Sequence, residues 1–295
     1  RRMVVGAVAW GIVAAVIADD LPRVLIIGDS ISVGYTPFVK SALSNRMEVV
    51  HAPGNSAATV TGLKRLEHWL GNTPWQVIHF NFGLHDMKAI DPATAESDMA
   101  KLVPVEKGRP WVPLDQYEAN LRRLVQQLKK SGAALVWCTT TPVPEGAVGR
   151  TPGGEVAYNA AALRVMQAEN VAVNDLWSFV GPPDKRLAMG GRPKDVHYTE
   201  AGSRSLAGEV VKAVEAALKR GCLSCSTGAR WPDGARMVSR PARRSGRGGR
   251  SKAGCCINGP ASKAAISSRN AFSAISNSNG SGALPKMRTT ESSIV

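Results

Sequence analysis

A chain of 295 residues, 44% apolar and 20% charged, carries enough hydrophobic material for one large or two small globular domains, so a wholly disordered polymer is excluded. Its net charge of +14 raises nucleic acid or an anionic surface as a partner, but residues 221–295 hold 12 Lys and Arg against 2 Asp and Glu, which leaves 25 basic and 21 acidic side chains for the first 220. The body of the chain therefore makes no electrostatic case for a polyanion, and no nucleic-acid partner is expected.

The chain opens on Arg1-Arg2-Met3, followed by an apolar or small run from Val4 to Ala18 and then Asp19-Asp20. A basic start, a short apolar stretch and small residues before the break read as an export signal over 1–18. The run falls short of the ~20 residues that span a bilayer, and no later segment is apolar and long enough. The expectation is a secreted or periplasmic protein with no stable membrane span once the signal is removed.

Residues 19–220 form the expected domain. Short β-branched runs alternate there with longer amphipathic stretches, the pattern of a parallel sheet covered by helices on both faces. Strands are expected over 24–27, 47–51, 75–82, 134–139 and 171–173, each mostly apolar on both faces, as central parallel strands are. Helices are expected over 36–45, 58–70, 114–131, 154–169 and 199–219. In the third of these, Tyr117, Leu121, Leu124, Val125 and Leu128 line one face. The segment from Met87 to Pro113 carries four prolines and exceeds an ordinary loop, so it is either a substrate wall or a surface excursion. Within it, Trp111 is equally suited to stacking on a sugar ring and to anchoring the loop. Residues 221–295 are basic and rich in Ser and Gly, with too little apolar surface to offset chain entropy, and are expected to be disordered.

Two elements carry chemistry. Val24-Leu-Ile-Ile-Gly-Asp-Ser30 runs a buried strand into a turn, placing Ser30 at the carboxyl end of the first strand, where open α/β sheets bind ligands. A serine hydroxyl needs a neighbouring base to act as a nucleophile. Near the other end, Asp195-Val-His197-Tyr-Thr199 precedes the last helix, and a histidine with one ring nitrogen oriented by a carboxylate can take a serine proton through the other. Either element alone is also an ordinary cap or loop sequence. Cys138 sits in an apolar run and reads as a buried thiol, whereas Cys222, Cys225, Cys255 and Cys256 lack a second metal-ligand pair. Neither the phosphate loop Gly-x-x-x-x-Gly-Lys nor a dinucleotide fingerprint is present, and no metal or cofactor is expected.

Taken in order, these blocks resemble the SGNH (GDSL-type) hydrolases. Gly28-Asp29-Ser30 matches the family's first block, Gly54 in His51-Ala-Pro-Gly-Asn-Ser56 the second, Gly83-Leu-His-Asp86 the third and Asp195-Val-His197 the last. The resemblance implies a flavodoxin-like α/β/α sandwich with a parallel sheet of about five strands. It implies a carboxylic ester hydrolase with Ser30 as nucleophile, His197 as base, Asp195 as its partner, and an oxyanion hole of Ser30 N–H, Gly54 N–H and His85. Two blocks depart from the pattern. His85 stands where the family carries an amide-bearing Asn, and Asp195 lies two residues before the histidine instead of three, so that it either reaches His197 by a different loop geometry or leaves the base without a carboxylate. The substrate expected from compartment and resemblance is a small-molecule or carbohydrate ester with a short acyl group, acetyl above all. The alternative is a non-catalytic cell-surface protein that keeps the fold for carbohydrate binding or structure.

Overall fold

The computed structural model describes residues 21–226 apart from residue 98. The expected export signal and residues 227–295 of the expected tail lie outside that range. Five strands form one parallel sheet in the order β2-β1-β3-β6-β7: β1 (Arg23–Ile27), β2 (Glu48–His51), β3 (Val77–Phe80), β6 (Ala134–Cys138) and β7 (Ala172–Asn174). Strand β1, second from the edge, pairs Ile26 with His51 on one side and with His79 on the other. The side chains of β3 are wholly buried, as the continuous apolar run requires of a strand covered on both faces.

Helices α1 (Ser30–Leu43) and α7 (Glu200–Ser226) pack together on one face, while α2 (Thr59–Leu70), α3 (Leu114–Lys129) and α4 (Gly154–Ala168) pack in succession on the other. The result is a three-layer α/β/α sandwich with the expected sheet. Tyr117, Leu121, Leu124, Val125 and Leu128 of α3 are all fully buried, so the stripe read from spacing is the one that meets the core. Gly62 of α2 permits close packing, since a Cβ there would stand 2.8 Å from the Phe82 ring.

Beyond shifts of one or two residues at element ends, the structure differs from the expected elements in four places. Helix α1 begins at Ser30, not at Thr36, because Asp29 caps it by accepting from Ile31 N–H at 2.9 Å, and Gly34 and Pro37 are accommodated inside it. Helix α7 continues to Ser226, past Lys219. Two short helices, α5 (Leu176–Val180) and α6 (Pro183–Ala188), fill the chain after β7. The long insertion folds on itself through a small antiparallel pair, β4 (Ala89–Ile90) with β5 (Arg109–Pro110). Trp111 is an anchor of that insertion: it is buried, its Nε1–H donates to Ala95 O at 2.9 Å, and its ring lies 4.6 Å from Lys88 Nζ.

Candidate active site

The first turn of α1 presents Ser30 half-buried at the carboxyl end of β1. The residue before the cap is glycine for a steric reason, since a Cβ on Gly28 would lie 2.8 Å from Ser32 Oγ. The Asp29 carboxyl is buried beneath the turn, and burial raises its pKa against the lowering effect of the Ile31 N–H. As the first residue of the helix, Ser30 has an N–H with no intrahelical acceptor, available to an anion.

Chain segments 167 positions apart meet here: Ser30 Oγ lies 2.7 Å from His197 Nε2. On the far side of the ring, His197 Nδ1 is 2.6 Å from Asp195 Oδ1, which also accepts from His197 N–H at 3.2 Å. Partial burial works to raise the pKa of Asp195, but the hydrogen bonds from the ring and backbone of His197 outweigh it and hold the carboxyl below its ordinary value. The carboxylate two residues before the histidine thus reaches the ring by bending the loop, and Lys194 between the two blocks takes the left-handed conformation (φ 56°).

The second and third blocks adjoin. Gly54 is exposed at φ 70°, a backbone conformation that favours glycine. Ser56 ties its loop to the nucleophile turn, with Ser56 N–H donating to Gly28 O at 2.9 Å and Gly28 N–H to Ser56 Oγ at 3.2 Å. His85 is buried, with Nε2 facing the amide of Asn55 at 3.5 Å and Nδ1 without a partner among the described residues. Burial, followed by the positive charges of Lys88, Arg150 and His197, pushes its pKa down to about 3, so its ring is neutral at ordinary pH.

The model of the GDSL-like Lipase/Acylhydrolase family matches residues 26–204, more than half of the chain and all four blocks. The chain belongs to this GDSL-like family. It is a carboxylic ester hydrolase, which sets aside the non-catalytic alternative. No curated protein sequence matches it. Solved structures with the same fold include a lipase/acylhydrolase from Enterococcus faecalis (17% identity, TM-score 0.53, covering 66% of this chain and 96% of that one). An acetyl xylan esterase is similar at 18% identity and TM-score 0.52, covering 65% and 99% of the two chains. A GDSL-like lipase from Bacteroides thetaiotaomicron aligns at 13% identity and TM-score 0.51, covering 66% and 88%.

Other groups of this GDSL-like hydrolase were not legible as neighbours of the site. His51 lies 2.7 Å from Ser32 Oγ through Nε2 and 2.5 Å from Ala52 O through Nδ1, bracing the turn below Ser30. Arg150, on the loop after β6, donates from Nε to Leu84 O at 3.1 Å and lies close enough to Asp29, His85 and Asp195 to act on their charges. His79 is buried in the sheet against the Asn174 amide at 3.1 Å, and burial pulls its pKa to about 4. Cys138 is buried as expected, its thiol pushed upward by burial.

Proposed function

We propose that the enzyme is a serine esterase that removes short acyl groups, above all acetyl, from carbohydrates by an acyl-enzyme mechanism. Ser30 Oγ attacks the ester carbonyl while His197 Nε2 accepts its proton. Asp195 holds the ring with Nδ1–H directed at Oδ1 and stabilises the imidazolium that forms. The tetrahedral oxyanion is held by the N–H groups of Ser30 and Gly54, with a neutral N–H of His85 as third donor. Collapse expels the alcohol, which takes the proton from His197, and water enters by the same base to release the acid.

The observation that carries this reading is the 2.7 Å approach of Ser30 Oγ to His197 Nε2, with the opposite ring nitrogen 2.6 Å from a carboxylate. An acetyl carbohydrate ester is supported by the fold shared with an acetyl xylan esterase and by the export signal expected over residues 1–18. The secreted or periplasmic setting belongs to the same proposal.

Release of p-nitrophenol from its acetate by the purified protein, beside Ser30→Ala, tests the mechanism. The variant is expected to lose nearly all of the rate, and equal rates in the two proteins would remove Ser30 from the chemistry. The acyl preference is read by comparing p-nitrophenyl acetate with the octanoate, and by acetate release from acetylated xylan oligosaccharides. A higher kcat/KM on the octanoate would sink the acetyl assignment while leaving the mechanism intact.

A further inference from the structure

Arg186 projects from the short helix α6 and is only 1% exposed, yet no carboxylate pairs with its guanidinium among the described residues. A buried cation without a counter-ion is costly unless its donors are well satisfied. Here the two terminal nitrogens converge on a single loop: Nη1–H donates to Arg192 O at 2.9 Å, and Nη2–H donates to Asp195 O at 2.7 Å and more weakly to His197 O at 3.3 Å, while Nε is buried without a partner among the described residues. The Tyr198 ring covers the guanidinium at 4.9 Å.

Backbone rungs close the loop across its neck. Thr199 N–H donates to Gly190 O at 2.8 Å, Arg192 N–H donates to His197 O at 3.0 Å, and Gly191 and Tyr198 form an antiparallel bridge. Between these rungs the backbone of Pro193 and Lys194 bulges away, with Lys194 left-handed. Within that turn the carboxylate of Asp195 is held by the ring and N–H of His197, and its carbonyl is held from beneath by Arg186. Gly191 completes the fit, since a Cβ there would stand 2.7 Å from Arg186 Cγ and 2.8 Å from Nη1.

We propose that Arg186 is a positioning residue for the acid–base arm. By fixing the carbonyls of Asp195 and His197, it sets the carboxylate 2.6 Å from Nδ1 and the opposite nitrogen 2.7 Å from Ser30 Oγ. The planar fork of arginine reaches several carbonyls at once, which the single ammonium of lysine cannot. The inference rests on the esterase reading above and adds to it a residue that touches neither substrate nor reacting atoms. Because the arm acts on the proton and not on ground-state binding, its loss falls on kcat and spares KM.

The test uses the full chain carrying Arg186→Lys, with Arg164→Lys on the exposed face of α4 as control. Three measurements are made: p-nitrophenyl acetate kinetics, thermal unfolding, and the low-field proton NMR signal of His197 Nδ1–H against Asp195. In a folded Arg186→Lys protein, kcat is expected to fall about 10²-fold with KM nearly unchanged, the loss typical of a reacting group displaced by roughly 1 Å. The low-field signal should broaden or vanish, while the control matches wild type in every measurement. Wild-type kcat with a sharp low-field signal in Arg186→Lys would overturn the proposal, as would a loss confined to KM. Should Arg186→Lys not fold, Gly191→Ala, which pushes on the same guanidinium from the other side, is expected to give the same pattern, and its retaining wild-type kcat and signal would refute the role. If Ser30→Ala proves as active as wild type, the esterase mechanism fails by itself, and the NMR comparison still decides whether Arg186 holds the arm.

Discussion

His85 stands where the family pattern carries an asparagine amide, and in the proposed oxyanion hole its ring takes that place. Burial keeps the imidazole neutral, with a pKa of about 3, so in the proposed mechanism it offers one N–H to the oxyanion without bringing in a charge. His85→Ala is expected to lower kcat for p-nitrophenyl acetate by about 10²–10³-fold, the usual loss for one oxyanion donor. His85→Asn should recover most of that rate, and an Ala variant at wild-type kcat would show that the two backbone N–H groups suffice. At this scale the sequence revealed those groups whose chemistry is tied to a local pattern. Ser30 follows a buried strand and His197 precedes the last helix, so both were legible, and Asp195 was legible as the partner of His197 through its place two residues earlier, though not the loop geometry by which it reaches the ring. Arg186 and Asn55 were not, because an arginine in a polar stretch and an asparagine in a turn look solvent-facing until tertiary contacts bury them.

Asp86 shows how one element completes another. Helix α2 has Ala58 at its cap position, which supplies no side-chain acceptor, and Asp86 Oδ1, from the segment after β3, accepts instead from Thr59 N–H at 2.9 Å and Thr59 Oγ1–H at 2.6 Å. The carboxyl is fully buried and Oδ2 has no partner among the described residues. Burial raises its pKa to about 7, against the lowering effect of the Thr59 hydrogen bonds. The folded state therefore keeps a proton that the unfolded chain releases near pH 4, so stability is full below that pH and declines as pH rises toward 7. Asp86→Asn keeps one oxygen acceptor and carries no charge, so it should gain stability relative to wild type, by on the order of a few kcal/mol, between pH 5 and pH 8. Urea unfolding midpoints at the two pH values check this, and a difference independent of pH would mean that Asp86 is ionised throughout. Element boundaries were legible where apolar periodicity was strong, as in α3, and failed where a breaker residue sat inside a helix. Gly34 and Pro37 hid the first turn of α1, which is the turn that carries the nucleophile. The β4–β5 pair was hidden because two-residue strands flanked by prolines carry no period to read.

Every group in the proposed chemistry lies among the described residues 21–226. The sheet, both partners of the Ser30–His197 contact and the arm under Arg186 all lie there. A chain ending at Ser226 is expected to keep the kcat and KM of the full chain on p-nitrophenyl acetate, while any retention of the full chain on heparin should disappear with the basic segment. Loss of activity in the shortened chain would assign residues 227–295 a part in the hydrolase. The sheet order was legible as a class, from alternating runs, because parallel strands buried on both faces leave continuous apolar stretches. Which loop lies over which strand end was legible only through the motif blocks, since periodicity carries no long-range information.

Because the proposed nucleophile and base lie 167 positions apart, the hydroxyl leaves the ribosome long before the imidazole that would activate it exists. On that mechanism, a nascent polypeptide halted anywhere before the last connection is chemically silent, and hydrolysis switches on only when synthesis has passed position 197 and that late segment has docked against the first helix.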